Sequence, residues 1–455
     1  MQPRSSIVRI PKDSVPVAAD PASPIEPMAP RAARLSPVLL TEPGYCGTLA
    51  AARELGRRGI PVATAGGTAG LPTSRSRYVR RNWPAPGADA VHALVEWLER
   101  YGRAHPGTVL YPTSDSLAWL QAAFAARLSP HFLTYAPEVG AIESVLDKRK
   151  LHEACRMVGI ETPTTYFAET EAEVISVARR ARFPLLLKQR TQILSNTGTK
   201  GLLVQWPEEL LSQYRRFVAA NAHAAAVRAR IPFASWPLMQ EFRADAKDRT
   251  YLVSGFVNSS HTEIAAKAAV KILQYPRTLG IALCLEQAPL DPGLTERILA
   301  LCRLTGYFGV FQIEFLIAGE HKLLNDFNPR YYHYMAFDMA RGLALPWYAQ
   351  LGCCGEEEAL TSALAQGRNA PDPARLVFSS RLQFHEMLWA QRLTGTMPAD
   401  EARHWRAWRR RNRDCMIDAI ADSQDRWPEV AAAVANGWRY LRHPRAFLRK
   451  IALDR

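Results

Sequence analysis

The sequence predicts a chain that combines an α/β unit, an α+β unit and a helical C-terminal extension. Between residues 36 and 140, short apolar runs alternate with helical segments, which is typical of a parallel sheet built from βαβ units. Between residues 201 and 273, strand-like runs follow one another instead, which indicates mostly antiparallel pairing. Residues 356–455 have a mostly helical and strongly basic pattern. A chain of 455 residues is too long for one hydrophobic core, so we expect several domains.

Changes in composition and pattern place the predicted domain boundaries. Residues 1–34 are rich in Pro, Ala and Ser and show no hydrophobic period, so we expect a disordered tail. The α/β domain then covers residues 35–142, and the α+β domain covers residues 143–355. The basic helical C-terminal region covers residues 356–455.

Composition favours a reduced protein of the cytoplasm. Hydrophobic residues make up 48% of the chain and charged residues 22%, as is usual for a globular protein. The seven cysteines are odd in number, and none lies in a CxxC pair with the spacing of a zinc site. No apolar run approaches the roughly 20 residues that span a membrane, and the N-terminal sequence lacks the apolar core of a secretory signal.

The first domain shows strands and helices in alternation. In order, we predict a strand at 37–41, a helix at 48–58 that ends at Gly59, a strand at 60–64, a helix at 90–103, a strand at 108–111 and a helix at 115–128. The loops at 42–47 and 112–115 follow strands. Because ligands collect at the carboxyl ends of parallel strands, we expect both loops to face a ligand.

The second domain begins with helices and continues with strands. In order, we predict a helix at 144–158 that ends at Gly159, a helix at 171–182, strands at 183–188, 201–205, 237–242, 250–258 and 267–273, and a helix at 294–304. A strand hairpin at 311–327 follows and completes the α+β unit.

That hairpin contains the pattern that says most about function. Two strand-like runs flank a turn at residues 318–320. Ile313 and Phe315 flank Glu314. Such apolar neighbours argue against the alternative, a fully exposed surface hairpin whose acids lie together by chance.

The hairpin would bring oxygen ligands together. With the turn centred on Gly319, residue 312 faces residue 326. Glu314 and Asp326 then lie diagonally on one face, and Asn328 shares that face because side chains alternate along a strand. Two carboxylates and an amide oxygen are hard ligands that suit Mg²⁺ held jointly with phosphates. Because neighbouring carboxylates repel each other without a cation, the pattern predicts a magnesium–nucleotide site.

Lysines at three places could complete such a site. Lys188 ends a buried strand, Lys148 begins the helix after the first domain, and Lys271 lies in the predicted strand at 267–273. Each lysine alone is more often a solvent-exposed side chain than a phosphate ligand.

Two backbone segments could also contact a nucleotide. The glycine-containing loop at 196–201 could cover a phosphate with its N–H groups. The strand end at 238–242 could offer backbone groups to an adenine edge, or it could be an ordinary strand end. Neither GxxxxGK[ST] nor GxGxxG occurs in the chain, which disfavours the Walker and Rossmann types of nucleotide site.

The order of these residues resembles the ATP-grasp superfamily and, within it, the carboxylate–amine ligase-like proteins. The resemblance covers about residues 36–350. It rests on Asp147-Lys148, the apolar run 183–188, the segment 239–242, Lys271 with the segment 274–276, Glu314, and the segment 326–330. It implies an ATP-grasp fold preceded by a Rossmann-like pre-ATP-grasp domain.

The resemblance also implies a role for each residue. The residues implied in nucleotide binding are Lys148, Lys188, Gln240, Glu241, Phe242 and, for the ribose, Asp248. The metal ligands would be Glu314, Asp326 and Asn328, although the family usually has Glu where Asp326 stands. Lys271 would steady phosphate, and Arg330 would bind the γ-phosphate or an acylphosphate.

The implied reaction consumes ATP with Mg²⁺, or Mn²⁺, as the metal. A small-molecule carboxylate would become an acylphosphate, which an amine (or a thiol) then attacks to form an amide, with release of ADP and phosphate. The alternative is an ATP-binding scaffold of weak catalytic power that recruits partners through its basic C-terminal region.

The basic C-terminal region allows three interpretations. Arginine alternates with aromatic residues at 403–413 and at 438–450, and the whole chain has a net charge of +14. We favour a solvated helix packed on the rest of the protein. The first alternative is peripheral contact with an anionic membrane. The second alternative is nucleic-acid binding, but we expect no nucleic-acid partner, because no recognised nucleic-acid-binding module accompanies the arginines.

Overall fold

The first sheet is the parallel sheet that the sequence predicts. The computed structural model describes residues 35–67, 71–195, 201–243, 250–275 and 280–442. The first strands and helices are β1 (Val38–Thr41), α1 (Cys46–Arg57), β2 (Val62–Ala65), β3 (Val79–Trp83), α2 (Val91–Ala104), β4 (Thr108–Leu110), α3 (Asp115–Ala123), α4 (Ala125–Leu128) and β5 (Phe132–Leu133). The strands pair in the order β3-β2-β1-β4-β5, and every pair is parallel. The predicted helix at 115–128 is interrupted at Phe124, so this prediction of one continuous helix is wrong.

Several predicted features lie outside the described residues. These are the tail at 1–34, Asp248, most of the loop at 196–201 and the end of the basic segment from residue 443 onward. The predicted domain boundaries stay predictions.

The strand order of the first sheet creates a crevice beside β1. The chain leaves β1 toward β2 on one side and later returns to β4 on the other, so the carboxyl ends of β1 and β4 form a topological switch point. There Thr41 Oγ1 and Thr113 Oγ1 lie 2.9 Å apart and share a hydrogen bond. The two loops that the sequence predicts to face a ligand are therefore neighbours.

Two helices, not one, lead into the second part of the chain. They are α5 (Val139–Leu146) and α6 (Lys148–Met157), so the prediction of one helix at 144–158 is wrong. Asp147 separates them in an extended conformation and caps α6 by accepting a hydrogen bond from the backbone N–H of Arg149 at 2.9 Å. Its buried carboxylate also accepts from Arg190 Nε at 2.9 Å. An aspartate with these partners favours a helix start over a helix interior, and it sets Lys148 at the first turn of α6.

A small antiparallel sheet follows. Its elements are β6 (Thr165–Phe167), α7 (Glu171–Arg180), β7 (Leu185–Lys188), β8 (Gly201–Val204), α8 (Leu210–Ala220), α9 (Ala225–Arg230) and β9 (Leu238–Glu241). The strands pair in the order β6-β9-β7-β8. Alternate residues such as Leu185 and Leu187 point into one apolar cluster with Tyr214, which leaves the other face of the sheet free to line a cleft.

The largest sheet has seven strands. The remaining elements are β10 (Thr250–Val257), β11 (Ile264–Tyr275), β12 (Ile281–Ala288), α10 (Pro292–Thr305), β13 (Gly309–Ala318), β14 (His321–Asn328), α11 (Met335–Met339), α12 (Leu345–Cys353), α13 (Glu357–Asn369), β15 (Val377–Ser379), α14 (Arg381–Leu393), α15 (Ala399–Arg411), β16 (Met416–Asp418) and α16 (Trp427–Arg442). The strand order is β14-β13-β10-β11-β12-β15-β16, and only the β15–β16 pair is parallel.

The C-terminal helices pack onto this sheet. Trp405 and Trp408 of α15 are buried, and Trp408 Nε1 donates a hydrogen bond to Glu286 Oε1 of β12 at 2.6 Å. This agrees with the interpretation of residues 403–411 as a helix packed on the rest of the protein. None of the helices within the described ranges has both the length and the apolar character to cross a membrane.

The first sheet and the large sheet share one core. Val38 and Leu40 of β1 lie in the same buried cluster as Leu252 and Phe256 of β10. At the edge of this contact Gly47 of α1 lies so close to Tyr332 that an added Cβ would come within 2.8 Å of its carbonyl oxygen. The glycine therefore allows α1 to approach the segment that follows β14.

This close approach predicts opposite effects for two helix glycines. We expect Gly47→Ala to lower the free energy of unfolding by about 1–3 kcal/mol, because the neighbouring atoms are backbone and have to move. Gly140 of α5 is exposed and has no atom within 4 Å of an added Cβ. Gly140→Ala should raise stability by about 0.5–1 kcal/mol. Urea unfolding of both variants checks this, and equal effects would contradict the packing.

Candidate active site

The hairpin of β13 and β14 has a different register from the predicted one. Glu314 lies directly opposite Asp326, and Gln312 lies opposite Asn328, so the predicted diagonal arrangement of the two carboxylates is wrong. The turn residues are Gly319 and Glu320, since Ala318 pairs with His321. The four side chains at 312, 314, 326 and 328 still share one face, as the sequence predicts.

A β-bulge at Asn325 causes the difference. Phe315 pairs with Leu324 while Glu314 pairs with Asp326, so Asn325 is an extra residue without a partner across the hairpin. A bulge of this kind turns its own side chain and the next one toward the same side of the sheet. Asn325 and Asp326 both line the same cleft.

Three lysines meet the polar face of the hairpin. Lys148 Nζ donates a hydrogen bond to Asp326 Oδ1. Lys188 Nζ donates to Asn325 Oδ1 at 2.8 Å. Lys271 Nζ lies 3.3 Å from Glu314 Oε2. Three ammonium groups thus lie beside two opposed carboxylates. They come from the start of α6, the end of β7 and the middle of β11.

One cleft of about 290 Å³ collects the predicted site residues. Of the eleven, the ten that lie within the described residues all line it: Lys148, Lys188, Gln240, Glu241, Phe242, Lys271, Glu314, Asp326, Asn328 and Arg330. The cleft lies between the small sheet and the large sheet. The functional roles of these ten residues stay predictions.

The charges in the cleft influence one another strongly. Burial and the charge of Lys148 lower the pKa of Lys188 to about 8. Burial alone would raise the pKa of Asp326, but the charges of Lys148 and Lys188 outweigh it and hold the pKa below its usual value. At neutral pH Asp326 is therefore ionised, and Lys188 is protonated but loses its proton more easily than an ordinary lysine.

Arg330 connects the hairpin to the first sheet. Its Nε donates a hydrogen bond to Asp115 Oδ1 at 3.0 Å, and its Nη2 donates to Asn328 Oδ1 at 2.8 Å. Asn328 Nδ2 donates in turn to Gln312 Oε1 at 2.7 Å. The guanidinium is thus fixed between the switch point of the parallel sheet and the end of β14.

The end of β9 forms a second wall of the cleft. Gln240 is buried in the strand, between Thr165 of β6 and Leu186 of β7. The Glu241 carboxylate accepts hydrogen bonds from Tyr166 Oη at 2.8 Å and from the backbone N–H of Arg182 at 3.2 Å. Because these contacts hold Glu241, the segment presents a fixed edge to the cleft.

Sequence reasoning missed several residues of the site. Asp115 and Asn325 hold Arg330 and Lys188, and His333 lines the cleft as well. Burial lowers the pKa of His333 to about 4, so the ring is neutral at pH 7. Asp115 could have been found, because it lies in the predicted ligand-facing loop at 112–115. No local pattern distinguishes Asn325, since its role depends on the bulge.

The donor set fits a hard divalent cation held jointly with phosphates. Glu314 and Asp326 offer carboxylate oxygens from facing strands, and Asn328 Oδ1 retains a second lone pair beside its bond to Arg330. Among the described residues no group of three or more His, Cys, Asp or Glu side chains could hold a metal by itself. Such a cation would therefore need further oxygen ligands from a bound molecule.

Comparisons with known proteins give structural neighbours only. No protein-family model and no curated protein matches the chain. The structure is similar to a biotin carboxylase–β,γ-ATP complex from Campylobacter jejuni, with a TM-score of 0.57, 14% identity and coverage of 71% of this chain and 72% of that one.

Two further structures extend the comparison. The biotin carboxylase domain of the Hydrogenobacter thermophilus 2-oxoglutarate carboxylase, in complex with MgADP, ADP and bicarbonate, has a TM-score of 0.55 and 15% identity over 70% of each chain. The L-amino acid ligase from Bacillus licheniformis has a TM-score of 0.50 and 13% identity over 70% of this chain and 73% of that one. Identities this low carry information about the fold alone.

The charge pattern of the cleft predicts how Lys188 titrates. We expect its ammonium group to titrate near pH 8, and Asp326→Asn to lower this pKa further, because the carboxylate charge favours the protonated lysine. Glu320→Gln, at the exposed turn of the same hairpin, should leave it unchanged. An NMR titration of the lysine side chains, with the signal assigned by its loss in Lys188→Arg, checks this. An unchanged Lys188 pKa in Asp326→Asn would contradict the electrostatic interaction between Asp326 and Lys188.

Proposed function

Because the chain has the ATP-grasp fold, we propose that it is an ATP-dependent ligase that joins a carboxylic acid to an amine through an acylphosphate. The observation that carries the proposal is the meeting of three lysines and Arg330 with two opposed carboxylates around one cleft. Phosphoryl transfer needs positive charge around the phosphates and oxygen ligands for a metal, and this cleft offers both.

ATP would enter the cleft as a substrate. The wall at 240–242 would face the adenine, and Lys148, Lys188 and Lys271 would face the phosphates. Mg²⁺ would be held by Glu314 and Asp326, with Asn328 as a third oxygen donor, and would neutralise phosphate charge. On phosphate binding, Lys148 and Lys271 would exchange their present contacts with Asp326 and Glu314 for contacts with phosphate oxygens. Lys188 would exchange its contact with Asn325 in the same way.

The neighbours support this assignment by what they bind. One was solved with β,γ-ATP and another with MgADP and bicarbonate. Bicarbonate, like a carboxylic acid, presents a carboxylate oxygen that could attack a phosphorus atom. The third is named for ligation of L-amino acids. A carboxylate as the first acceptor is common to these chemistries.

The reaction would proceed in two displacements. A carboxylate oxygen of the acid attacks the γ-phosphorus of ATP, the bond from that phosphorus to the β–γ bridging oxygen breaks, and ADP leaves. Arg330 and the lysines balance the negative charge on the transferred group. The amine nitrogen then attacks the carbonyl carbon of the acylphosphate and loses a proton, and inorganic phosphate leaves as the amide forms.

The acid and the amine would bind at the switch point of the parallel sheet. Asp115 there anchors Arg330. Glu42 lies beside both, and its buried Oε2 has no hydrogen-bond partner among the described residues. A carboxylate in that position could accept a hydrogen bond from an amine substrate. The loops at 42–47 and 112–115 would therefore select the substrates.

The proposal predicts a large effect of the metal ligands on turnover. With a panel of acids and amines, we expect Glu314→Gln to reduce ADP release by about a hundredfold or more, because charge stabilisation at the phosphoryl group is lost. Glu320→Gln on the same hairpin should keep wild-type turnover. Equal turnover in both variants would contradict the metal assignment, and Mg-ATP binding without any turnover would favour the scaffold alternative.

The pKa of Lys188 predicts a pH dependence of nucleotide binding. Below pH 8 the lysine is charged and binds phosphate, and above about pH 8 the free protein loses this charge. We expect the dissociation constant of ADP to be flat below that pH and to rise by up to about tenfold per pH unit above it. Calorimetric titration at several pH values measures this.

Lys188→Arg provides the control for this pH dependence, because arginine stays protonated throughout the range. The rise should disappear in Lys188→Arg. A rise of the same size in both proteins would show that another group causes it.

A further inference from the structure

A second and larger cavity lies in the C-terminal region, apart from the cleft described above. It has a volume of about 1340 Å³. Among the described residues it shares no lining residue with the cleft of the candidate active site, which we call the nucleotide cleft after the proposed function. Helices α14, α15 and α16 and strand β16 form its walls. Ligand cavities in proteins usually have about 300–1000 Å³, so this space can take a molecule larger than a simple ion.

Arginines dominate the lining of this cavity. Seven of them face it: Arg381, Arg392, Arg406, Arg409, Arg410, Arg413 and Arg426. Arg381 forms an ion pair with Glu429. Across the described ranges, the other six form no ion pair with an acidic side chain. The lining holds seven arginines and three acidic side chains, so the guanidinium groups repel one another, and a bound anion would relieve that repulsion.

The three acidic side chains in the lining are already engaged. Asp422 pairs with Arg57 of α1, and Glu429 pairs with Arg381. Asp418 accepts backbone N–H groups of Ile420 and Ala421 at 2.8 Å each. The acids therefore help to build the walls. The charge of Asp418 acts on Arg409, but within the described residues none of these three acids forms an ion pair with the other six arginines of the lining.

Among the described residues, Arg409 has an unsatisfied hydrogen-bond donor in this lining. Its guanidinium carbon lies 5.4 Å from the centre of the Phe384 ring, which holds the side chain against an apolar surface. Its Nη1 is buried and has no hydrogen-bond partner in the part of the chain that the structure describes. A buried guanidinium N–H without an acceptor is costly, and a phosphoryl oxygen in the cavity would satisfy it.

The positive field of the cavity acts on a neighbouring histidine. Burial lowers the pKa of His385, and the charges of Arg409, Arg381 and Arg406 lower it further. The charges of these three arginines therefore all act on the part of the cavity that contains His385.

The same walls also offer apolar surface. Phe384, Leu388 and Met416 line the cavity together with Trp389 and Val430, whose side chains are 58% and 48% exposed. Exposed large apolar side chains beside arginines are typical of sites that bind amphiphilic anions. The cavity thus combines guanidinium groups, which match phosphoryl oxygens in pairs, with a surface for an apolar group.

We propose that this cavity, which we call the arginine cavity, binds a molecule that carries a phosphate or diphosphate group on an apolar body. Arg406, Arg409 and Arg410 of α15 contact the phosphoryl oxygens, and Trp389 of α14 contacts the apolar part. The inference does not depend on the proposed ligase reaction, because it concerns binding at residues outside the nucleotide cleft.

The test measures binding of inorganic pyrophosphate to the full chain by calorimetry. We expect binding by the wild-type protein and a loss of about tenfold or more in affinity for Arg406→Gln/Arg410→Gln, because charge-assisted hydrogen bonds are removed. The matched control is Arg403→Gln/Arg411→Gln. It removes the same charge from the same helix at residues outside the lining, and it should bind like the wild type.

Three results would overturn the proposal. They are absence of pyrophosphate binding, equal weakening in the two double variants, and binding that Lys188→Gln abolishes while Arg406→Gln/Arg410→Gln retains it. The second result would indicate diffuse surface charge, and the third would place the anion in the nucleotide cleft. Unchanged thermal unfolding of both double variants serves as the check on folding.

Two further probes identify the source of the phosphoryl group. 1-Naphthyl phosphate should bind more tightly than inorganic phosphate and lose this advantage in Trp389→Ser, and equal affinity for the two would contradict the apolar part. Vesicles of phosphatidylcholine with and without phosphatidic acid provide the second probe. Sedimentation that requires phosphatidic acid, fails in Arg406→Gln/Arg410→Gln and is reversed by pyrophosphate assigns a lipid headgroup. Binding of pyrophosphate without sedimentation assigns a soluble phosphorylated compound.

Discussion

The opposition of Glu314 and Asp326 across one hairpin is the constraint on which the site depends. Two unit charges roughly 5 Å apart, the typical spacing of directly opposite residues on paired strands, repel each other by about 3 kcal/mol at an effective dielectric constant near 20. The fold compensates with Lys148, Lys188 and Lys271, which come from a helix start and two separate strands. Because each charge depends on the others, a bound phosphate and its metal could replace the internal ion pairs without leaving any group unpaired.

This arrangement also requires contact between the five-stranded parallel sheet and the seven-stranded sheet. Arg330 follows the hairpin and bonds to Asp115 at the switch point of the parallel sheet, while Gly47 lets helix α1 approach Tyr332. The hairpin of β13 and β14 and the crevice of the parallel sheet are therefore parts of one site. In the reaction that we propose, the phosphoryl donor and its acceptor would meet at Arg330, and this geometry allows it.

The sequence predicted the main features of the fold and the residues around the cleft, because strand and helix periods are local and the site residues end or begin elements. It failed where the outcome depends on a partner far along the chain. The bulge at Asn325 changes the hairpin register, yet nothing in the local pattern distinguishes it. Asp147 breaks a helix because Arg190 and the backbone of Arg149 bind its carboxylate.

The unpredicted strands β12, β15 and β16 have a similar explanation. Two of them have only three residues, too few to show a period, and their pairing with the large sheet decides their conformation. The arginine cavity likewise depends on tertiary packing, since its arginines come from two helices and from the segments between helices, which the sequence shows only as a basic region.

The most direct test of the account is a crystal structure of the chain with MgADP. The account predicts a metal between Glu314 and Asp326, phosphates in contact with Lys148, Lys188 and Lys271, and adenine against residues 240–242. A nucleotide bound elsewhere, with Lys148 still paired to Asp326 and Lys271 to Glu314, would contradict it.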